Sequence, residues 1–422
     1  MGRKVNINNI LINNVVANCN RVECEIEVSK ELKPYFNTNS MYFEYDCNME
    51  SVPKSILTIP FVGCLIALAW LTDSVFWVDE IDKTFYDSIP KIRNAYQEIY
   101  RNTSLKGRFA PSKIINKKLE NDLSLDAKSI MLFSGGADCH ASLIRNLDKH
   151  PMLCNIQGWY KDSNDKDVAA EADLRDIKQF ASQMDLMCSF VKSNFAVVVN
   201  EKYFDKMMKL VGDTWWHGFQ HSMAFISIAI PIAYSVGIDE IIIASSLTKG
   251  LNFLCASNLT TDSEFNFACN GHTLHDGFEL NRQDKMHVIV DFQQKLGRAY
   301  PIRVCSFNDH NCCECEKCLR TILGIVAEGG DIKDFGFYYD EPSAEHWQNV
   351  IYKRGGLMSF KSEQYIHWPH TKKRMKENYA NIKDKEFVDW FLSFDFEKAK
   401  KEGLKRYYRQ NFFSILKRKL HL

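Results

Sequence analysis

Residues Ile130 to Leu143 read IMLFSGGADCHASL, and this stretch constrains the fold more than any other. An apolar run, Ile130-Met131-Leu132-Phe133, breaks at once into Ser134-Gly135-Gly136 and then enters a segment able to form a helix. A strand that turns through two glycines into a helix gathers backbone N–H groups and the positive end of a helix dipole at one point, which suits a phosphate. Ser134 adds a hydroxyl, and Asp138 lies where a carboxylate can hold a magnesium ion beside the phosphates. A plain strand-to-helix turn uses the same glycines, so the string alone leaves both readings open.

From Ile130 onward strand-like and helix-like segments alternate. Strands are predicted at Met152–Trp159, Leu186–Val191 and Glu240–Ala244, and helices at Ala169–Met184, Tyr203–Val211 and His221–Val236. Such alternation predicts an α/β domain with a parallel sheet and helices on both faces. Ligands on such sheets bind at the carboxyl ends of strands, where the Ser134 turn falls. Before it, Val22–Val28 and Met41–Tyr45 alternate like half-buried strands, residues 60–71 and 84–100 look helical, and Ser74–Val78 reads as a strand. The basic, Pro-containing stretch Lys106–Lys118 suits a linker. Three regions are therefore expected: residues 1–125 as an α+β domain, 126–335 as a nucleotide-binding domain, and 336–422 as a helical region.

Charge is balanced, with 53 basic and 53 acidic residues among 422, so nothing global points to nucleic acid or an anionic membrane. The chain opens on a polar, Asn-rich segment rather than an apolar leader. The apolar runs Ile56–Leu71 and Ala224–Ile243 are interrupted, by Pro60 and Gly63 and by Pro231 and Gly237, and read as buried helices rather than spans. A soluble, cytoplasmic protein is expected, and a homo-oligomer is compatible with it.

Five of the fourteen cysteines crowd between 305 and 318, in CSFNDHNCCECEKC. Without a secretion signal such crowding means metal more often than disulfides. Cys312, Cys315 and Cys318 at three-residue spacing, with Cys305 upstream, can form a tetrahedral thiolate cage for zinc, leaving Cys313 spare. A [4Fe–4S] cluster is the rival, disfavoured because the ferredoxin-type Cys-Pro is missing.

The string Phe-Ser-Gly-Gly-Ala-Asp resembles the PP-loop of ATP pyrophosphatases, usually Ser-Gly-Gly-X-Asp-Ser; Cys139 stands where that family has serine. Followed by the cysteine cluster, it resembles the 7-cyano-7-deazaguanine synthase group of the queuosine pathway. The stretch His275-Asp276-Gly277-Phe278-Glu279-Leu280-Asn281-Arg282-Gln283-Asp284-Lys285 is also similar to a segment of that group. The likeness covers about residues 128–330. It implies an adenine nucleotide alpha hydrolase-like fold and an enzyme that binds ATP with magnesium, adenylates a carboxylate or carbonyl oxygen of a small substrate, and releases pyrophosphate. It also implies a structural zinc. On this reading Ser134, Gly135, Gly136, Ala137, Asp138 and Cys139 bind the nucleotide phosphates. Asp138, Lys249 and Arg282 carry the charge chemistry, and Asp276, Glu279, Arg282 and Lys285 face the substrate.

Gln157 and Gly158, at the end of the second strand, fit an adenine contact and equally an ordinary strand end. Asp276, Glu279, Arg282 and Lys285 share a face if their segment is helical, which also describes a salt-bridged surface. His217, His221, His272 and His275, among aromatic and apolar residues, read as core or hydrogen-bonded histidines. The basic amphipathic tail, Lys398–Lys419, reads as a cap on the fold; a membrane or nucleic-acid contact is the less favoured alternative. Two other functions stay open: a PP-loop sulfur transferase acting on tRNA or a small molecule, and a nucleotide-binding module without catalysis in a defence or surface-polysaccharide system.

Overall fold

The computed structural model describes residues 8–158, 168–251, 254–305, 308–353 and 366–410. The chain divides into two compact units. One comprises residues 1–134 and 145–278, the other residues 135–144 and 279–422.

The first unit contains an 11-stranded sheet. Its strands in chain order are β1 (Asn9–Asn18), β2 (Arg21–Val28), β3 (Ser40–Glu44), β4 (Val75–Asp82), β5 (Arg108–Ile115), β6 (Ile130–Leu132), β7 (Met152–Ile156), β8 (Cys188–Ser193), β9 (Glu240–Ala244), β10 (Asn266–Phe267) and β11 (Gly271–Asp276). They lie in the order β10-β11-β9-β6-β7-β8-β3-β2-β1-β4-β5. The block β11-β9-β6-β7-β8 is parallel throughout, so the architecture is α/β with a mixed, mostly parallel sheet. Within it the chain runs from β6 to β7 to β8 in one direction, while β9 pairs on the other flank of β6. The order therefore reverses beside β6, and the Ser134 turn leaves its carboxyl end at that switch point.

The first 125 residues, expected as a domain of their own, supply five strands of this same sheet: β3 pairs antiparallel with β8 through Phe43 and Ser193. Lys106–Lys118 is not a linker either. Its central residues form β5, paired with β4 at the end of the strand order, where Pro111 is tolerated and Arg108 and Lys113 discourage further pairing. The polar N-terminal segment conceals β1. Ile10, Ile12 and Val15 face the core, while Asn13 and Asn14 donate to Glu27 and Glu25 across the ladder.

Two apolar helices, Ile59–Thr72 and His221–Val236, form the centre of this unit; both are buried nearly all round, as helices without a polar face must be. Helix Trp216–Val236 is long and apolar enough to cross a membrane by length and composition, yet 72% of its apolar window is buried inside the fold. The pair packs closely at Gly63, whose Cβ would occupy the space of Ser227 Oγ and Cβ. Gly63→Ala is expected to cost about 1–3 kcal/mol through overpacking. Urea unfolding measures it, and adding Ser227→Gly should recover part of the loss.

The second unit carries helices Arg282–Leu296, Glu316–Ala327, Ser343–Lys353, Trp368–Glu377, Lys385–Ser393 and Phe396–Gln410, together with all but the last residue of helix Ala137–Arg145. In the last of its own helices Phe396 and Ala399 are buried. The basic tail beyond Gln410 lies outside the described residues, as does Trp159 of the second predicted strand.

Candidate functional site

The Ser-Gly-Gly stretch forms the expected strand–turn–helix. β6 ends at Leu132, and the helix begins at Ala137. Gly135 takes φ +74°, a left-handed conformation that favours glycine, and the nearest atom to a Cβ there would be Arg303 O at 4.0 Å. Ser134 is exposed, and Ala137, Asp138 and Cys139 make the first turn of the helix. Behind the turn, His140 is buried and its ring hydrogen-bonds the Gly135 backbone. Burial lowers this imidazole to about 3, so it stays neutral with a single N–H. With that N–H given to the Gly135 carbonyl, Nδ1 accepts from the Tyr300 hydroxyl at 3.0 Å.

The carboxylate of Asp138 is the centre of the second unit's polar cluster. Arg282 Nη1 lies 2.8 Å from Oδ2 and Lys285 Nζ 3.1 Å from Oδ1, so each oxygen holds one cation. Both cations are well covered, with side-chain exposures of 10% and 3%. Burial would raise the Asp138 carboxyl, but Arg282 and Lys285 outweigh it and hold the group well below the usual carboxylate range. Asp138 thus positions two cations, and a magnesium ion on this carboxylate would have to displace them.

Arg282 and Lys285 are brought there by helix Arg282–Leu296, whose N-terminus is fixed by a capping box between Asn281 and Asp284. Arg282 Nη2 also reaches Thr321 Oγ1 at 3.4 Å, while its buried Nε has no hydrogen-bond partner among the described residues. Sequence reasoning missed three members of this neighbourhood: Thr321, Arg320 and His367. Burial first, then the charges of Arg320 and Arg282, lower the His367 imidazole to about 3. Arg320, Thr321 and His367 lie far in sequence from Asp138 and Arg282, and only the fold reveals them.

The expected single helical face through Asp276, Glu279, Arg282 and Lys285 does not exist. Asp276 ends β11 and pairs with Arg145 Nε at 3.2 Å, and the helix starts only at Arg282. Gly277, at φ +80°, breaks any continuous helix between them. Glu279 precedes the helix in the second unit.

Gln157 is buried at the end of β7, its N–H donating to Val191 O. Gly158 has a structural reason to be glycine: φ is +104°, and a Cβ would collide with Ser193 O. Lys249 is exposed on the turn after β9, its backbone N–H bonded to Phe278 O. Since β6, β7 and β9 run parallel, Ser134, Gln157, Gly158 and the Lys249 turn all follow carboxyl ends on one edge of the sheet.

Cys305, Cys312, Cys315 and Cys318 come together, their Sγ atoms all within 4.8 Å of one another, close enough to hold a metal ion. Cys312 and Cys318 Sγ stand 4.0 Å apart, near the ~3.8 Å edge of a tetrahedron with metal–sulfur bonds of about 2.3 Å. Cys315 is the N-cap of helix Glu316–Ala327 and accepts from Cys318 N–H, while Glu314 N–H donates to Cys312. Cys313 points elsewhere, its buried thiol donating to Asn311 O. Asn311 braces the knuckle by bonding Val304 N–H, Ile302 O and Gly336 O, and Arg303 ties down the carbonyls of Cys305 and Asn308.

No protein-family model, no curated protein and no solved structure matches this chain.

The thiol cage is expected to carry one divalent metal per chain by elemental analysis, and Cys315→Ser or a strong chelator should lower the melting temperature of the second unit's helices by several degrees or more. The neutral His140 gives a pH signature. Its depressed folded pKa means the stability it contributes is present above the unfolded value, near 6.5, and is lost as pH falls from there toward about 3. Replacing His140 by Gln should flatten the decline in unfolding free energy between pH 6.5 and 4.5.

Proposed function

We propose that this chain is an ATP-dependent enzyme of the PP-loop class. It adenylates a carboxylate or carbonyl oxygen of a small substrate, releases pyrophosphate, and prepares that carbon for amide- or nitrile-type bond formation. The observation that carries the reading is the pair of cations, Arg282 and Lys285, fastened to Asp138 in the first turn of the helix that Gly135-Gly136 precede. Two well-covered cations meet at one carboxylate beside a helix N-terminus, an arrangement whose charge and donors suit an anionic ligand. The buried Nε–H of Arg282, without an acceptor among the described residues, is a donor that such a ligand could use. Backbone amides at the helix start add donors that need no side chain.

In this reading the turn and the helix start bind the phosphates, and Arg282 and Lys285 neutralise the charge that develops when pyrophosphate leaves the α-phosphorus. Asp138 positions both cations, and magnesium enters with the nucleotide. The four thiols hold zinc as a structural ion. A cubane iron–sulfur cluster sets an iron between each thiolate and the cluster centre and spreads the sulfurs wider than a single ion does, so their close spacing supports zinc over the iron–sulfur alternative.

One observation favours a second reading, a nucleotide-binding module without catalysis: both oxygens of Asp138 are occupied by cations, and Cys139 replaces a hydroxyl donor with a weaker one. The two readings agree on ATP uptake and differ on turnover.

Calorimetry with ATP and magnesium should show saturable uptake by the zinc-loaded protein, weakened about tenfold or more by Arg282→Ala. Pyrophosphate release that rises when candidate carboxylates are added supports the enzyme, and uptake without release supports the module. Absence of uptake by protein with a native circular dichroism spectrum would sink both.

A further inference from the structure

The first unit holds a second set of reactive groups, none of them used by the proposed nucleotide site. Asp213 follows helix Glu201–Val211 after Gly212, which closes that helix at φ +86°. Four residues on, His217 lies in a π-helical turn, Trp216–Gln220, a distortion that recurs at functional sites. His217 Nδ1 sits 2.9 Å from Asp213 Oδ1. Asp213 is itself held, with Oδ2 accepting from the Tyr100 hydroxyl at 2.8 Å and Oδ1 from Thr214 N–H at 2.7 Å.

Cys255 comes to the same place. Its thiol lies beside the His217 and His221 side chains, whose charge acts on it and whose rings stack at 6.1 Å. Since Nδ1 of His217 is committed to Asp213, Nε2 is the ring nitrogen left to serve the thiol. The next residue pins the segment: Ala256 N–H donates to His217 O at 2.8 Å, and Ala256 O accepts from Tyr96 and Thr261. The N–H of Cys255 itself donates to no acceptor among the described residues.

We propose that Cys255, His217 and Asp213 form a nucleophile–base–orienter site that transfers the acyl group of a small carboxylic ester or amide through a thioester on Cys255. A nucleophile within reach of a base, with the base oriented by a third group, is the arrangement such chemistry requires. The Cys255 thiolate adds to the acyl carbon, and its own N–H is positioned to receive the oxyanion. The C–O or C–N bond then breaks, and the departing alkoxide or amine takes the proton from His217 Nε2. Water, deprotonated by the same nitrogen, cleaves the thioester, releases the acid and restores the thiolate–imidazolium pair.

Burial raises the Cys255 thiol, but His217 and His221 outweigh it and hold it at about 6. Asp213, with Cys255, raises the His217 imidazole to about 10. Tyr96, in helix Lys83–Ile99, and Tyr100, just past its end, lie near Cys255, and burial raises both phenols, so neither adds charge near neutrality. Cys255 is buried while His217 is half-exposed, which restricts the site to small acyl groups. The site is independent of the nucleotide reading.

Iodoacetamide labelling of the full-length, zinc-loaded protein, mapped by peptide mass spectrometry, tests the pair. Cys255 should label at pH 6.5, with a half-maximal rate near pH 6, and His217→Gln should slow labelling at that pH about tenfold or more as the thiol returns toward its free value near 8.5. Para-nitrophenyl acetate should give a burst of nitrophenolate with the acetyl group mapped to Cys255. Cys255→Ser should abolish the burst, and Asp213→Asn should slow it while leaving the circular dichroism spectrum native. The proposal is overturned if Cys255 labels only after denaturation, if His217→Gln leaves its pH profile unchanged, or if labelling occurs without acylation.

Discussion

One carboxylate holding two cations governs the second unit. Asp138 is fixed by its place in the first turn of its helix, and Arg282 and Lys285 are fixed by a capped helix that begins 144 residues later. The contacts from Arg282 and Lys285 are charge-assisted, and the donors are well covered, so water takes little part in solvating them. Around this knot the remaining parts need only local reasons. His140 and Tyr300 support the Gly135 turn from behind, and the thiol knuckle, two residues past Arg303, sets the backbone that faces Gly135.

Much of the sheet-bearing unit was legible because its strands and helices obey simple periodicities. β2, β3, β4, β7, β8 and β9 all fall where alternation or a short apolar run places them, and helix Ile59–Thr72 follows from an apolar run too long for a strand. β1 was hidden because asparagines occupy its outward positions and bond to glutamates on β2, so its pattern reads as a polar loop. β5 was mistaken for a linker because proline and lysine mark both linkers and the outermost strand of a sheet, and sequence alone does not separate them. Near residue 125 the composition shifts, but hydrogen bonding continues across that point from β8 to β3, which no local pattern reveals.

The thiol knuckle was the clearest part of the site, since thiols at fixed short spacing are decided by local chain geometry. The loop was equally local. What could not be read was pairing over distance. The spacing of Asp276, Glu279, Arg282 and Lys285 suggested one face, yet Gly277 separates them into a strand end and a helix start, so Asp276 pairs with Arg145 while Arg282 and Lys285 pair with Asp138. Cys255 and His217 gave no sequence signal, because neither sits in a recognisable string and their contact depends on a π-helical turn.

The departure at Cys139 becomes easier to understand once Asp138 is seen to serve cations. In the proposed reading, phosphate contacts come from backbone N–H groups, Arg282 and Lys285, none of which depends on the side chain at 139. A serine there would add one hydroxyl donor to a set already rich in charge, a gain of the order of a single neutral hydrogen bond, about 1 kcal/mol. Arg282 and Lys285 contribute charge-assisted contacts roughly twice as strong. The thiol therefore weakens one contact among several. The pair of cations on Asp138 is the part of the arrangement that an anionic ligand could not lose.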